Sequence, residues 1–210
     1  MQKPFKGEVD RTRVLSAKEL KFLWQEFNAL NCQPIADTLK LLLLLGQRRN
    51  EVARMQWKDL DLETGTWSLP REATKNKKPH IVPLSDRVLK IIKGQKRQTI
   101  EDKKTGKNIS CPFVFSTTGK TPVSGWSKAK NTINESLAKK EIVLEDWRIH
   151  DLRRTVSTNL GDMGYHNEDI GMLLNHTSRG ITAVYNRSTY LVKKKEMLKV
   201  WQDKLASIID

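Results

Sequence analysis

Five short polar motifs contain residue types that can bind an anion or transfer a proton. In chain order they are Arg48 with Glu51, Lys75, His150 with Arg153, His176, and Tyr185. A planar guanidinium clamps an oxyanion with two parallel hydrogen bonds, which a lysine ammonium cannot reproduce. A tyrosine hydroxyl has a pKa of about 10, so near neutral pH it needs a base or a cationic field to act as a nucleophile. Taken singly, the motifs are equally consistent with surface ion pairs and structural histidines.

The charge balance points to a polyanionic partner. The chain has 210 residues with 38 Lys and Arg against 24 Asp and Glu, which gives a net charge of +14. Residues 71–107 carry twelve basic and four acidic side chains, or +8 of that total. A solvated lysine-rich face is one explanation. A membrane surface is disfavoured because the segment lacks the apolar face of an interfacial helix. Nucleic acid is therefore the favoured partner.

Composition excludes several classes of protein. Hydrophobic residues make up 38% of the chain and six are tryptophan, which excludes wholesale disorder. Cys32 and Cys111 form no metal or redox motif, so a disulfide framework is excluded and a reducing compartment is indicated. The longest apolar run, residues 39–45, is far shorter than the roughly 20 residues of a membrane span. We expect a cytoplasmic protein.

Hydrophobic spacing predicts a mainly α fold with a small antiparallel β-sheet or hairpin, in the α+β class. Ser16 and Glu19 form a capping box at the first helix, and Pro83 restricts its strand to an edge or end position. Helices are predicted at about 16–30, 34–45, 50–57, 86–98, 123–137, 150–163, 167–174, 179–186 and 190–208, and strands at 66–69, 80–84 and 113–115, with a loop at 99–112.

The order of the polar motifs resembles that of the tyrosine recombinase (phage-type integrase) family. The matching elements are G-x-R-x-x-E at 46–51, T-K at 74–75 before P-H-x-V-P-L at 79–84, H-x-x-R at 150–153, L-L-x-H at 173–176, and a tyrosine nine residues later. The phrase 183–187 looks most like integrases of prophages and genomic islands. The chain departs from the pattern at Leu45, where threonine is frequent, and at Asn175, where glycine is usual. Neither change removes a chemical group.

The resemblance implies a role for each matching residue. Tyr185 matches the nucleophile that attacks a DNA phosphodiester, giving a 3′-phosphotyrosine and a free 5′-hydroxyl. Arg48 and Arg153 match the arginines that hold the non-bridging oxygens. His176 matches a further hydrogen-bond donor to the same phosphate. Tyr190, five residues after Tyr185, is the alternative nucleophile but lies off the motif spacing.

Three other residues match groups that move protons or orient the site. Lys75 matches the general acid that protonates the departing 5′-oxygen, although other lysines share its segment. His150 matches the histidine that assists proton transfer, and Glu51 matches a carboxylate that orients an active-site group. Further contacts to the DNA backbone are expected from Lys77, Lys78, Arg49 and Arg154, and His80 is expected to face either the sheet ladder or the DNA backbone.

The resemblance therefore implies site-specific DNA recombination, for integration or excision of a mobile element, without a metal or other cofactor. The expected partner is double-stranded DNA in a bacterial, nucleoid-associated setting. The full-length enzyme would be a tetramer on DNA, and this chain alone weakly associated or monomeric. Residues 1–15 would be a linker or leading arm and 16–210 the catalytic domain, with core-binding and arm-binding domains absent.

Two other functions and one question of packing stay open. The chain could instead be a type IB topoisomerase or a non-catalytic DNA-binding regulator. The apolar stripe of the last helix could pack on its own domain or dock on a neighbouring protomer.

Overall fold

A computed structural model describes residues 12–101, 106–176 and 187–210. The helices are α1 Ala17–Ala29, α2 Gln33–Leu45, α3 Arg49–Ala53, α4 Asp86–Lys93, α5 Trp126–Lys139, α6 Ile149–Asp162, α7 Asn167–Leu173 and α8 Arg187–Ile209. The strands are β1 Leu60–Asp61, β2 Thr66–Leu69, β3 His80–Pro83, β4 Thr99–Glu101 and β5 Asn108–Ser110. The predicted fold class, mainly α with small antiparallel sheets, is confirmed.

Helix α2 forms the centre of the core because it is apolar on nearly every side. Leu41 to Leu45 are all buried, and the helix packs against α1, α6 and α8. It ends at Gly46, whose φ of +66° is accessible to glycine at little cost. A Cβ there would lie 3.0 Å from the side chains of Leu174 and Val156. The glycine thus lets the chain turn sharply, close to α6 and α7, just before Arg48.

The main sheet is a three-stranded antiparallel sheet in the order β1-β2-β3. Its register pairs Thr66 with Pro83 and Leu69 with His80. Strand β3 is an edge strand, as the proline predicted. The connection between β2 and β3, residues 70–79, carries Lys75 and is called the Lys75 segment below.

Several element boundaries differ from the predictions. Helix α4 ends at Lys93, before Gly94, rather than near residue 98. Residues 99–112 contain the antiparallel pair β4 and β5 rather than only a loop. Each strand has three residues with one central isoleucine, which is too short a run to reveal a strand by alternation. The predicted strand at 113–115 is reduced to one isolated bridge between Phe113 and Gln56. The predicted helix at 179–186 lies outside the described residues.

Helix α8 packs into the core of its own chain. Four residues of its apolar stripe are fully or almost fully buried: Met197, Leu198, Trp201 and Leu205. The other two, Leu191 and Ile208, are partly buried. The Trp201 Nε1 donates to the carbonyl of Leu43 at 2.8 Å, and the Gln202 Nε2 donates to that of Leu44 at 3.0 Å. The helix therefore closes one side of α2. Within the described ranges, no helix combines the length and apolar character that crossing a membrane requires.

Candidate active site

Arg48 lies where α2 gives way to α3. Its Nη1 donates to Glu51 Oε1 at 3.0 Å, and its backbone N–H donates to the other carboxylate oxygen at 3.2 Å. Its Nη2 donates to the carbonyl of Asn175 at 3.2 Å. Glu51 is buried, so its carboxylate holds the guanidinium in place while leaving it partly exposed. The predicted orienting contact of Glu51 is made to Arg48.

Arg153 projects from the first turns of α6 and is only 4% exposed. Its Nη1 donates to the carbonyl of Gly46 at 2.8 Å, and its Nη2 donates to that of Leu174. Burial and the charge of Arg48 lower the pKa of Arg153 to about 10, so the group remains cationic at neutral pH. The guanidinium therefore joins the end of α2 to the end of α7 and lies beside Arg48.

His150 and His176 face the charges of these two arginines. Partial burial and then the charges of Arg153 and Arg154 lower the pKa of His150. Partial burial, Arg153 and Arg48 lower the pKa of His176 to about 4. Both imidazoles are therefore neutral at pH 7, where a neutral ring can accept a proton at one nitrogen and donate a hydrogen bond from the other.

Lys75 is exposed and lines the same cleft as Arg48 and His150. The cleft has a volume of about 750 Å³ and lies between α3, the Lys75 segment and the starts of α5 and α6. Its lining contains one carboxylate, Glu51, among the described residues. The basic side chains of the lining are Arg48, Arg49, Arg54, Lys75, Lys130 and Arg148. The cleft is thus suited to an anion.

Three of these basic residues were missed by the sequence analysis: Arg54, Lys130 and Arg148. They lie outside the basic stretch at 71–107 and far apart in the chain, so no local pattern marks them. Of the backbone contacts predicted for DNA, Arg49 lines the cleft with its guanidinium 5.9 Å from the ring of Trp126. Three of the other four, Lys77, Lys78 and Arg154, are at least partly exposed, and Arg154 also pairs with Asp151 at 2.7 Å.

The structure does not place His80 where a DNA contact would need it. The ring is only 5% exposed. Its Nε2 lies 3.0 Å from the carbonyl of Leu173, and its Nδ1 lies 3.2 Å from Lys194 Nζ. Because the ammonium must donate to Nδ1, Nε2 carries the hydrogen and donates to the carbonyl. Both ring nitrogens are thus engaged inside the protein, and the expectation of a DNA contact at His80 is corrected.

This buried imidazole predicts that the protein loses stability in mild acid. Burial and the charge of Lys194 lower the pKa of His80 to about 3, whereas the unfolded ring titrates near 6.5. Below about pH 6.5 the unfolded chain therefore binds a proton that the folded chain does not. His80→Gln keeps a donor and an acceptor but cannot titrate. We expect the free energy of unfolding to fall between pH 7.5 and pH 5 by about 2 kcal/mol more in wild type than in the variant.

Urea denaturation of both proteins at the two pH values measures this difference. Each protein serves as its own control at pH 7.5, so any loss of packing in the variant cancels. Equal drops in the two proteins would contradict the prediction.

The nucleophile predicted by the resemblance, Tyr185, lies outside the described residues. Tyr190 lies near the start of α8 and is half-buried. The described residues therefore bring Arg48, Lys75 and His150 to one cleft, with Arg153 and His176 beside Arg48, while the chemical role of each residue and the tyrosine assignment stay predictions.

The arrangement has a definite chemical capability. Two fixed guanidiniums can hold the oxygens of a tetrahedral or pentacoordinate phosphorus, and such preorganised donors stabilise the charge that develops in a transition state. Neutral His150 can accept a proton, and neutral His176 can donate a hydrogen bond.

Comparison with known proteins agrees with this geometry. The model of the phage integrase family matches residues 13–191. The prophage integrase IntZ of Escherichia coli K12 is 31% identical over 179 residues, which cover 83% of this chain and 40% of that protein. The integrase of Shigella phage Sf6 is 29% identical over 172 residues, covering 78% of this chain and 40% of that protein. The chain thus spans about two-fifths of the length of these relatives.

Solved structures show the same fold at low sequence identity. The XerA recombinase superposes with a TM-score of 0.58 at 17% identity, covering 96% of this chain and 66% of that one. The integrase of mycobacterium phage Brujita gives a TM-score of 0.57 at 20% identity and covers 96% of this chain and 66% of that one. The Tn1549 transposon integrase, solved in complex with circular intermediate DNA, gives 0.57 at 17% identity, with coverage of 89% and 62%. Because the family model matches most of the chain, this protein belongs to the phage integrase family.

Proposed function

We propose that this chain cleaves and rejoins DNA strands in site-specific recombination, through a covalent 3′-phosphotyrosine at Tyr185. The observation that carries the proposal is the pair of guanidiniums of Arg48 and Arg153. Both are fixed by backbone carbonyls from distant parts of the chain. Arg48 lines the basic cleft with His150, and the almost fully buried Arg153 lies beside Arg48 and the two neutral imidazoles. An anionic phosphodiester in this cleft would meet preorganised donors with little reorganisation.

In the proposed reaction the bond between the Tyr185 hydroxyl oxygen and phosphorus forms while the bond from phosphorus to the 5′-oxygen breaks. His150 accepts the phenol proton, and the ammonium of Lys75 gives a proton to the departing 5′-oxygen. Arg48, Arg153 and His176 hold the non-bridging oxygens as their charge increases. The reverse sequence rejoins a 5′-hydroxyl, and because the phosphotyrosine conserves the energy of the phosphodiester, no external energy source enters.

The proposal extends to partners and domain organisation. Double-stranded DNA is the substrate, and residues 16–210 form the catalytic domain that follows a linker. Arg49, Lys77, Lys78 and Arg154 contact the DNA backbone, mainly positioning it rather than reading its sequence. The complete enzyme acts as a tetramer on two DNA sites in the bacterial cytoplasm. Binding by this chain alone is steeply salt-dependent, because each phosphate neutralised releases condensed counterions.

A nicked suicide duplex tests the proposal on the wild-type chain. Cleavage beside the nick releases a short strand that cannot religate, so the covalent adduct accumulates and survives SDS. Duplexes that tile the DNA flanking the gene supply candidate sites. Trypsin then separates the two candidate tyrosines, because cleavage after Arg179, Arg187 and Lys193 gives peptides 180–187 and 188–193.

We expect the nucleotide on peptide 180–187. A nucleotide on peptide 188–193 would move the nucleophile to Tyr190. DNA binding without any adduct would indicate a non-catalytic regulator, and relaxation of supercoiled plasmid without site preference would indicate a topoisomerase.

A further inference from the structure

Asn175, directly before His176, has a backbone conformation that few residues adopt. Its φ is +53°, in the left-handed region, which costs most side chains energy and which asparagine tolerates better than most. A glycine would give the same turn without a side chain. Here the side chain is present and buried, at 8% exposure.

The buried side chain of Asn175 contacts the Lys75 segment. The Asn76 Nδ2 donates to Asn175 Oδ1 at 2.7 Å and to the Asn175 carbonyl at 3.0 Å. The Asn76 Oδ1 in turn accepts from the backbone N–H of Lys78 at 3.2 Å. Asn76 therefore links two parts of the chain that are 99 residues apart.

The same carbonyl of Asn175 also accepts from Arg48 Nη2 at 3.2 Å. The backbone carbonyl of Asn175 thus contacts both Arg48 and the Lys75 segment, and the next residue in the chain is His176. Among the described residues, the other bonds in the Lys75 segment are local: the Thr74 hydroxyl lies 2.8 Å from the Lys78 carbonyl, and the Lys77 N–H bonds the Thr74 carbonyl at 3.3 Å. These local bonds shape the turn but do not fix where it lies relative to Arg48.

We propose that Asn76 and Asn175 are positioning residues that hold Lys75 against the phosphate site through their mutual hydrogen bonds. The inference rests on the proposed function, in which Lys75 is the general acid. Asn76 is the residue next to Lys75. If the bonds of Asn76 to Asn175 were lost, the segment would no longer be anchored, and the exposed Lys75 ammonium would occupy many positions. The arginine clamp itself would remain, because Arg48 and Arg153 keep their bonds to Glu51 and Gly46.

A change of leaving group separates this role from a general structural one. Two duplexes of the same sequence carry either the natural bridging 5′-oxygen or a bridging 5′-sulfur at the scissile phosphate. Thiols are far more acidic than alcohols, so the thiolate departs without a proton from a general acid. A defect in placing Lys75 therefore slows only the oxygen duplex. A defect in folding, DNA binding or the arginine clamp slows both.

The variants are Asn76→Ala, which removes the donor, and Asn175→Gly, which removes the acceptor side chain and keeps the left-handed turn accessible. We expect each to slow single-turnover cleavage of the oxygen duplex by about 10- to 100-fold, part of the 10²- to 10⁴-fold typical of general acid catalysis. On the sulfur duplex both should react within about threefold of wild type, as should Lys75→Ala. The double variant should be no slower than Asn76→Ala, because Asn76→Ala already removes both hydrogen bonds to Asn175, whereas Asn175→Gly keeps the backbone carbonyl as an acceptor.

Glu141→Gly is the matched control. Glu141 also has a left-handed φ, +58°, but it is exposed at the end of α5, outside the basic cleft. This variant should match wild type on both duplexes. Arg48→Ala should cleave both duplexes slowly, which is the result expected when the arginine clamp is damaged.

Each outcome decides the inference. The inference would be overturned if Asn76→Ala and Asn175→Gly slowed cleavage equally on both duplexes, or slowed it on neither. The proposed function would be left intact by that result. A wild-type chain that forms no adduct with either duplex would overturn the proposed function, and this inference with it.

Discussion

Replacing Arg153 by lysine is expected to slow DNA cleavage by about 10²- to 10³-fold, the loss typical of removing one preorganised donor from an anion site. The guanidinium uses two N–H groups on the carbonyls of Gly46 and Leu174 and has three others for a phosphate. An ammonium has three donors on a single nitrogen. It cannot bond both carbonyls and also present two parallel hydrogen bonds to phosphate oxygens.

The measurement is the single-turnover rate of adduct formation on a nicked duplex at saturating protein. Arg87→Lys is the control. Arg87 lies on α4, outside the basic cleft, and its guanidinium donates two hydrogen bonds to the carboxylate of Asp210, at 2.8 and 3.2 Å. It should cleave at the wild-type rate. Far-ultraviolet circular dichroism and DNA affinity should show that Arg153→Lys still folds and binds. A rate for Arg153→Lys within threefold of wild type would remove Arg153 from the clamp.

Replacing Trp201 by alanine is expected to lower the free energy of unfolding by about 3–5 kcal/mol, as for other large aromatic residues in cores. The indole is fully buried, and its Nε1 donates to the carbonyl of Leu43 at 2.8 Å. Truncation leaves a cavity against α2 and removes the hydrogen bond to that carbonyl. A loss of this size is a large fraction of the 5–15 kcal/mol by which a domain is normally stable.

Urea unfolding measures the effect, and Val200→Ala is its control. Val200 is the neighbouring residue on α8 but is 38% exposed, so its truncation should cost far less. A loss below about 1 kcal/mol for Trp201→Ala would mean that α8 does not pack on its own chain in solution, since that is less than any core tryptophan should cost.

The packing of α8 also bears on the chemistry. The helix begins at Arg187, two residues after Tyr185. The indole of Trp201 in this helix donates a hydrogen bond to α2, and α2 ends directly before the turn to Arg48. Helix α8 is thus held against the helix that leads to Arg48. Between the two possibilities left open by the sequence, the described residues place the apolar stripe on the chain's own core.

Local patterns were sufficient for the fold class and for most helices. The capping box of Ser16 and Glu19 forms as predicted at the start of α1, and Pro83 lies on an edge strand. The predictions from these features are confirmed because caps, periodicity and proline act through residues a few positions apart. The pairing of β4 with β5 was missed because each strand has three residues and a single isoleucine, too short a run for a periodic apolar signal.

The sequence by itself determined which residue types the site contains, since the order and spacing of Arg48, Lys75, His150, Arg153 and His176 identify the family pattern. Only the tertiary structure decided how they are held. It showed Arg153 bonded to the ends of α2 and α7, His80 buried rather than facing DNA, and Asn76 joined to Asn175. These contacts join residues about 20 to more than 100 positions apart. Spacing along a chain encodes local conformation, whereas such contacts arise only when whole elements pack and bury their polar groups together.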